Sequence, residues 1–357
     1  MKNTISIGHG GGGRLARDLI KDLFVKRFNN PMLAMLGDSA VFELNGSRLA
    51  LTTDSYVVRP IFFPGGDIGK LAVCGTVNDL SVVGARPLYL SCGIIIEEGF
   101  SLKDLESITL SIKESADKAD VEVITGDTKV IEKCQRVKEP APAGSKQRSE
   151  GQSSKNNDSN IYINTAGVGI IEDGIDLGIN KINAGDKIIL SGTIGDHGIA
   201  VLSKREGFDF ESTIESDCAS LNEIAQKVLK AGSIRFMRDP TRGGLAAVLN
   251  EIAEDGNLEI KVDEDSIPVR DDVNGICTML GLDPLYIANE GKVIIVAAQG
   301  DANNILKTLQ TDPLGQNASI IGEITGKGKN KGVYLNTAYG GTRVLDMPVD
   351  DPLPRIC

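Results

Sequence analysis

The sequence predicts an α/β (α+β) protein of two lobes with a separate C-terminal tail, and three observations support this prediction. The chain has 357 residues, which suits two domains of roughly 150 residues each. Stretches with helical spacing of apolar residues alternate with short apolar runs typical of strands. Prolines near the C-terminus disfavour a helix there and keep the chain extended. We therefore expect an N-terminal lobe over residues 1–175, a C-terminal lobe over residues 176–340 and a flexible tail over residues 341–357.

Three stretches have the apolar spacing of amphipathic helices. Each places five apolar side chains on one helical face, as a helix packed on a core requires. These positions are Leu105, Ile108, Ile112, Ala116 and Ala119; Leu221, Ile224, Ala225, Val228 and Leu229; and Leu245, Val248, Leu249, Ile252 and Ala253.

Seven apolar runs are typical of strands, because they are short and are bounded by Gly, Asp or Asn. Their alternation with the helices indicates a mixed α and β class. The runs are RLALTTDS, PLYLSCGIII, VEVITGD, IYINTAGVGII, DKIILSG, GKVIIVAA and ASIIGEI.

The stretch over residues 136–160 differs in kind from the rest of the chain. It has no aromatic residue and a single branched aliphatic residue, so it cannot bury enough apolar surface to order itself. Composition alone would make it a domain linker. The run IYINTAGVGII after it resembles a partner of the strand before it, so we predict a disordered insertion within the N-terminal lobe. The lobe boundary is then expected in EDGIDLGINKINAGDK.

Charge and hydropathy argue against two classes of partner. A net charge of −11 disfavours nucleic acid, whose phosphate backbone requires a basic face. No apolar run reaches the roughly 18 residues that span a bilayer, and the N-terminus lacks the apolar segment of a secretory signal. We therefore expect a cytoplasmic protein without a membrane partner. The six cysteines include no CxxC pair, so a zinc site is not expected.

Four aspartates stand at acidic turns beside apolar runs: Asp38, Asp54, Asp79 and Asp127. Strand ends would bring these carboxylates together, where they repel one another unless a hard cation neutralises them. Magnesium usually arrives with a nucleoside triphosphate, so the cluster points to Mg²⁺ and ATP. Lys129 lies on the same side of an extended strand as Asp127 and is placed to reach the phosphates. The alternative is that each aspartate only caps a turn or a helix.

Two glycine-containing stretches offer anion sites at helix entrances. GHGGGGRLARDLI has backbone amides that no side chain blocks, although it matches neither the P-loop nor the dinucleotide fingerprint, and a flexible N-terminal segment is the alternative. RDPTRGGLAAVLNEIA places Arg242 at a helix start, where it suits a phosphate or a carbamoyl-type oxygen. Helix initiation with close packing would explain the proline and the glycines of that stretch but not Arg242.

Glu290, in the run IANEGKVII, precedes a strand that we expect to be buried. Burial there would raise the pKa of the carboxyl group and make it a candidate base. The alternative is a solvated turn residue.

The chain ends in LDMPVDDPLPRIC, with Cys357 as the last residue. Pro348, Pro352 and Pro354 hold this end extended, so it should behave as a semi-rigid arm. A thiol on such an arm can form a covalent carrier bond and move its load between a donor, an active site and an acceptor. The alternative is a chance terminal cysteine on a disordered end.

Together these motifs resemble the HypE family of hydrogenase maturation factors over nearly the whole chain. Broader features match the superfamily of aminoimidazole ribonucleotide synthetase, thiamine-monophosphate kinase and selenophosphate synthetase, whose members lack the terminal cysteine arm. The loop over residues 136–160 departs from the family, in which this connection is short. The resemblance rests on HGGGG, TTDSYVVRPIFFPGGDIGKLAVCGTVNDLSVVGARPLYLS, ITGDTKV, RDPTRGGLAAVLNEIA, NEGK and the terminal PRIC.

The resemblance implies a two-lobed PurM-like fold whose N-terminal sheets pair into a dimeric barrel. It implies that the carbamoyltransferase HypF loads a carbamoyl group onto Cys357 and that ATP activates the carbamoyl oxygen by phosphorylation. Loss of phosphate then leaves a protein thiocyanate, and the cyano group passes to iron on the HypC–HypD complex for a nickel–iron hydrogenase.

The resemblance also implies roles for individual residues. Lys129 would steady the phosphate or the carbamoyl oxygen, Arg242 would hold the arm or the phosphate, and Glu290 would be the base. The implied ligands of ATP and Mg²⁺ are Asp38, Asp54, Asp79 and Asp127, with Asn78 and Gly126 beside them.

Two other functions remain open from the sequence. A small-molecule kinase or synthetase of the same superfamily would use ATP but would not need Cys357. A non-catalytic assembly protein would use its acidic surface and tail only to dock maturation partners, and it would not hydrolyse ATP.

Overall fold

The computed structural model describes residues 4–133, 160–207, 214–328, 331–349, 353 and 356. Within these residues, two large sheets carry helices and divide the molecule into an N-terminal and a C-terminal lobe. The predicted insertion over residues 136–160, apart from Asn160, and the terminal Cys357 lie outside the described part of the chain. No described helix combines the length and the apolar character that crossing a membrane requires.

The N-terminal segment packs on the start of the C-terminal tail. A 3-10 turn (Ile7–Gly10) precedes helix α1 (Gly13–Leu19), a π-helical turn (Ile20–Val25) and helix α2 (Lys26–Phe28). The backbone amides of Arg14 and Leu15 donate to the carbonyl oxygens of Pro348 (2.9 Å) and Val349 (3.1 Å). These two amides of the glycine-rich stretch are thus engaged by the tail.

The N-terminal sheet consists of β1 (Ala40–Leu44), β2 (Ser47–Tyr56), β5 (Ala85–Glu97), β6 (Glu122–Ile131) and β7 (Ile161–Ile171), and a short hairpin is formed by β3 (Phe62–Phe63) and β4 (Gly66–Asp67). The strand order is β1–β2–β7–β5–β6, in which only β5 and β6 are parallel. Strands β6 and β7 belong to one sheet, as the predicted insertion between two strands of one lobe requires. The predicted pairing of β7 with β6 is wrong, because β7 lies between β2 and β5.

Helices α3 (Ile68–Val82) and α4 (Leu102–Lys118) pack on this sheet. Helix α4 buries Ile108, Ile112 and Ala116 as its spacing predicts. Helix α3 is buried on nearly all sides, so its apolar residues follow one another without the helical period that would have revealed it. Its first turn is capped by the side chain of Asp67, which accepts hydrogen bonds from two backbone amides.

The C-terminal sheet has the order β14–β13–β10–β12–β8–β11–β9, and only β10 and β13 are parallel. Strand β14 extends this sheet past residue 340, so the tail begins later than predicted. The strands are β8 (Lys187–Leu190), β9 (Ile234–Arg238), β10 (Leu258–Asp263), β11 (Ile294–Ala297), β12 (Ser319–Lys327), β13 (Gly332–Asn336) and β14 (Thr342–Val344).

Helices cover this second sheet and the lobe boundary. The predicted helices around residues 221–229 and 245–253 are confirmed as α6 and α7, and all seven predicted strands are present. The helices are α5 (Asp196–Glu206), α6 (Asn222–Leu229), α7 (Gly244–Gly256), α8 (Asp271–Leu280) and α9 (Ala302–Gln310).

Asn78, on α3, fastens the two lobes together. Its side chain is fully buried, and its Nδ2 donates to the carbonyl oxygens of Ala219 (3.1 Å) and Glu290 (3.2 Å). Its Oδ1 accepts a hydrogen bond from the backbone amide of Leu221 at 2.8 Å. Both ends of the amide are therefore committed to the backbone of the C-terminal lobe.

Candidate active site

A cavity of about 560 Å³ lies between the two lobes. Its walls come from the N-terminal segment, from β2 and α3, and from the β9–α7 connection. Five of the predicted site residues line it: Asp38, Asp54, Asp79, Arg242 and Glu290. Asp38, Asp54 and Asp79 belong to the N-terminal lobe and Arg242 and Glu290 to the C-terminal lobe, so the packing of the two lobes brings them together.

Three carboxylates converge in this cavity, from Asp38, Asp79 and Asp239. Each can offer an oxygen such that all three oxygens lie within 4.8 Å of one another. Burial and the neighbouring carboxylates raise the pKa of Asp79 well above its usual range and that of Asp239 to about 7. An all-oxygen set with this mutual repulsion fits a hard divalent cation such as Mg²⁺.

The positions of three of the predicted acidic turns need correction. Asp79 lies inside helix α3, Asp54 lies within strand β2 and Asp127 lies within strand β6, so none of the three follows a strand end. Asp79 is held in place by Thr52, whose hydroxyl lies 2.8 Å from the Asp79 carboxylate and 2.8 Å from the carbonyl oxygen of Asp38.

Arg238 supplies positive charge beside the carboxylate cluster. Its guanidinium lies 3.1 Å from the carboxylate of Asp38 and 3.1 Å from that of Glu251. Arg238 is at the end of β9, and Asp239 follows it directly. The end of β9 thus places the guanidinium of Arg238 and the carboxyl group of Asp239 side by side in the cavity.

Glu290 is 2% exposed, and its Oε1 has no hydrogen-bond partner among the described residues. Burial raises its pKa well above the usual range, and Asp239, Asp217 and Asp54 add to this shift. A buried carboxyl group with an unsatisfied oxygen on a cavity wall is a candidate for proton transfer. The expected burial of Glu290 is therefore observed.

A buried ion pair between Asp217 and Lys292 holds the backbone of Glu290 in place. The carboxylate of Asp217 accepts a hydrogen bond from the backbone amide of Glu290 at 3.0 Å and lies 3.1 Å from Lys292 Nζ. Although burial alone would raise the pKa of Asp217, Lys292 and His197 hold it below its usual value. The turn is so tight that a Cβ at Gly291 would lie 1.9 Å from the carbonyl oxygen of Asp217. The glycine of the NEGK motif is therefore required by packing.

Arg242 lies at the mouth of the cavity and donates a hydrogen bond to the carbonyl oxygen of Gly10 at 2.9 Å. The glycine-rich stretch is packed closely here, since Gly13 has a φ of +68° and a Cβ at that position would lie 2.5 Å from the carbonyl oxygen of Pro348. The stretch is thus a structured wall of the cavity, and its contacts include the tail.

The described part of the C-terminal arm has four buried residues, whereas the sequence predicts a flexible tail. Leu345, Met347, Leu353 and Ile356 are all buried. Ile356, the residue before Cys357, has its carbonyl oxygen 3.0 Å from His197 Nε2. The part of the arm that the structure describes therefore packs against the body of the protein, because it carries apolar side chains between its prolines.

Gly126, Asp127 and Lys129 are not brought to this cavity. They lie on the edge strand β6, and Asp127 pairs with Lys129 in an exposed ion pair of 2.6 Å. Strand register explains their position: Asp127 lies opposite Gly93, which lies opposite Asn164, which lies opposite Ser55. Because neighbours along a strand point to opposite faces, Asp127 lies on the face of the sheet opposite to that of Asp54.

Asn78 does not line the cavity either, because its amide is bonded to the backbone of the other lobe. The sequence reasoning missed the functional candidates Arg238, Asp239, Asp217, Lys292 and His197. Asp239 directly precedes Pro240, and no local pattern shows that a charged residue at such a position will be buried.

Comparison with known proteins places this geometry in a family. The models of AIR synthase related proteins match residues 36–145, for the N-terminal domain, and residues 183–335, for the C-terminal domain. The carbamoyl dehydratase HypE of Bradyrhizobium diazoefficiens is 45% identical over 355 residues, which are 99% of this chain and 96% of that protein. This chain belongs to the HypE family.

Solved HypE structures share the fold. The crystal structure of the hydrogenase maturation protein HypE in complex with ATP is 44% identical, covers 99% of this chain and 100% of that chain, and has a TM-score of 0.77. The HypE chain of a HypE–HypF complex is 42% identical, covers 92% of this chain and 99% of that chain, and has a TM-score of 0.81. The predicted family and its two-lobed α/β fold are thereby confirmed.

Proposed function

We propose that this protein is an ATP-dependent carbamoyl dehydratase that carries its substrate on Cys357. The single observation that supports this most strongly is that the cavity contains both an acidic cluster and the buried Glu290. A phosphate-binding site and a base within one cavity suit a reaction in which ATP activates an oxygen and a proton is then removed. Membership of the HypE family agrees with this chemistry.

The acidic cluster is the proposed site of Mg-ATP. Asp38, Asp79 and Asp239 would hold the cation, with Asp54 on the same wall. Bound Mg²⁺ would neutralise the charge of the phosphates, which phosphoryl transfer requires. Arg242, at the cavity mouth, would add positive charge beside the phosphates or the arm.

The proposed reaction has two steps. In the first, the carbamoyl oxygen of the S-carbamoyl group attacks the γ-phosphorus of ATP, the bond to ADP breaks and one nitrogen-bound proton is lost. In the second, the C–O bond breaks, phosphate leaves with the oxygen and the remaining nitrogen-bound proton is removed, which gives a thiocyanate on Cys357. Glu290 is the proposed acceptor of the first proton and, after it has passed that proton to solvent, of the second, because its carboxyl group has an unengaged oxygen in the cavity.

A second copy of the chain is the proposed source of Asp127 and Lys129. The outer face of the N-terminal sheet exposes Leu51, Tyr89 and Ile95, which are between 43% and 48% exposed. A face of this kind on a sheet is suited to packing against an identical sheet. In such a homodimer, Asp127 and Lys129 would lie at the interface, from which they could reach the phosphates of the partner copy.

The proposed protein partners follow from the reaction. A carbamoyltransferase of the HypF type would load Cys357, and one solved relative is a HypE–HypF complex. A HypC–HypD type complex would accept the cyano group on iron.

The proposed function is tested by intact-mass spectrometry of the protein incubated with HypF, carbamoyl phosphate and Mg-ATP, with Cys357→Ala as the control. We expect a carbamoyl adduct that loses the mass of one water only while ATP is consumed, and no adduct on the Ala variant. ATP consumption with Cys357 unmodified would instead indicate a small-molecule kinase or synthetase. Absence of both the adduct and ATP consumption would indicate a docking protein.

A further inference from the structure

Two described residues of the C-terminal arm pack into an apolar site formed by both lobes. Ile356 is 1% exposed and Leu353 is 7% exposed. Both belong to a core cluster that contains Phe63 of the N-terminal lobe and Ile199 of the C-terminal lobe. The arm therefore packs where the two lobes meet.

His197, on α5, makes the polar contact to the end of the arm. The ring is fully buried, with Nε2 3.0 Å from the carbonyl oxygen of Ile356 and Nδ1 2.8 Å from the hydroxyl of Ser216. The Ser216 hydroxyl accepts a hydrogen bond from the backbone amide of Cys218 at 3.1 Å, so its proton is left to donate to Nδ1. Since burial favours a neutral ring, the ring proton is on Nε2 and is donated to Ile356.

The ring of His197 cannot turn away from this position. The rings of His197 and Phe63 pack edge to face, with their centroids 5.4 Å apart and their planes at 88°. The backbone amide of Ser216 donates to the carbonyl oxygen of Pro64 at 2.8 Å. The hairpin that carries Phe63 and the segment that carries Ser216 therefore hold the imidazole from two sides.

The segment of residues 216–218 supports both the contact of His197 with the arm and the position of Glu290. Ser216 orients His197, and Asp217 accepts the backbone hydrogen bond of Glu290. The end of the arm and the candidate base are thus positioned by adjacent residues on one backbone. No hydrogen bond of His197 itself reaches the carboxylate cluster.

We propose that His197 is a positioning residue for the dehydration: it holds the peptide carbonyl that precedes Cys357 and so determines where the thiol is presented. The inference rests on the proposed function, since it gives the docked arm the role of the reacting state. Loading and cyano transfer then require that the His197–Ile356 hydrogen bond breaks and that two apolar side chains leave their site. His197 thereby sets the balance between the docked and the released arm.

The test compares His197→Phe, which keeps a ring but removes the donor, with His197→Gln, which restores an amide donor. Two rates are measured: alkylation of Cys357, assigned by peptide mass mapping, and single-turnover dehydration of protein already carrying the carbamoyl group. We expect His197→Phe to alkylate about fivefold faster, the shift that one hydrogen bond of ordinary net strength supports. Its dehydration should slow by a similar factor while its ATP affinity stays unchanged, and His197→Gln should recover part of both effects.

A matched control separates positioning from general loosening. Val201 is buried on the same helix and in the same cluster, so Val201→Ala should lower the melting temperature without changing the alkylation of Cys357. The proposal would be overturned if Cys357 in His197→Phe were alkylated at the wild-type rate. It would also be overturned if the Phe and Gln variants changed the two rates equally.

If His197→Phe does not fold, Ser216→Ala and Ile356→Ala decide instead. Both should accelerate alkylation of Cys357, and wild-type rates in both would overturn the proposal. Alkylation does not depend on turnover, so a protein whose arm responds as expected but which never dehydrates a carbamoyl group would refute the proposed function alone.

Discussion

Arg238 and Asp38 form an ion pair across the lobe boundary, with 3.1 Å between the guanidinium and the carboxylate. Without Arg238, the carboxylate cluster would lose its neighbouring positive charge. We therefore expect Arg238→Leu to lower the free energy of unfolding by about 3 kcal/mol, as for other partly buried ion pairs that lose one partner. Mg²⁺ should restore part of this loss, because it supplies positive charge at the same place. Chemical denaturation with and without Mg²⁺ measures both effects.

Arg235→Leu is the matched control for this prediction. Arg235 lies on the same strand and its guanidinium is 3.6 Å from Asp186, which does not line the cavity. Loss of the Arg235 side chain should lower the free energy of unfolding by less than loss of Arg238, and Mg²⁺ should not restore that difference. An equal response of the two variants to Mg²⁺ would contradict a cation site at the cluster.

Asp239→Asn tests the cation site directly. The substitution removes one charged oxygen ligand but keeps the size of the side chain. We expect the affinity for Mg-ATP to fall by at least about tenfold, which is about 1.4 kcal/mol of binding free energy. Isothermal titration with Mg-ATP measures this, and Asp312→Asn, a buried acid paired with Lys227, is the control. Unchanged affinity of Asp239→Asn would remove Asp239 from the site.

Glu290→Gln tests the proposed base. The amide has the same shape as the carboxyl group but cannot accept the proton, so dehydration should slow by about a hundredfold or more. Carbamoyl loading of Cys357 and ATP affinity should both remain. Time-resolved mass spectrometry of the loaded variant with Mg-ATP makes the measurement, and a loaded variant that loses water at the wild-type rate would exclude Glu290 as the base.

The outer face of the N-terminal sheet is the proposed dimer interface. Ile95→Glu places a charge on this exposed apolar face, so it should dissociate the dimer and reduce dehydration. Light scattering coupled to size-exclusion chromatography gives the oligomeric state. Leu110→Glu, at an exposed position on α4, should leave the dimer intact. A wild-type protein that is active as a monomer would refute the interface.

Much of the fold follows from local patterns in the sequence. Helix α4 buries one face, which includes Ile108 and Ile112, so its helical period is visible in the sequence. The strand IYINTAGVGII alternates between more and less buried positions, so its period of two is visible as well. Helix α3 is not visible in this way, since burial on all sides removes the contrast between its faces. Asp79 was therefore expected at a turn although it lies within a helix.

Part of the site could be predicted from local features, because acidic turns, a helix start and the position before a strand indicate Asp38, Asp54, Asp79, Arg242 and Glu290. Their convergence could not be predicted, because Arg242 and Glu290 belong to the other lobe and no local pattern encodes how two lobes pack. The sequence pattern groups Asp127 with the other aspartates, but the register of β5, β6 and β7 places it on the opposite face of the sheet from Asp54. His197 was missed because its role depends on Ile356, which is 159 residues away in the chain.

If ATP removes the carbamoyl oxygen as phosphate, that oxygen can be followed with an isotope label. Cys357 would first be loaded with a carbamoyl group that carries heavy oxygen, and the purified loaded protein would then be mixed with unlabelled Mg-ATP. We expect the label to appear in inorganic phosphate, with one labelled oxygen for each thiocyanate formed. Label in water, with unlabelled phosphate, would contradict phosphorylation of the carbamoyl oxygen.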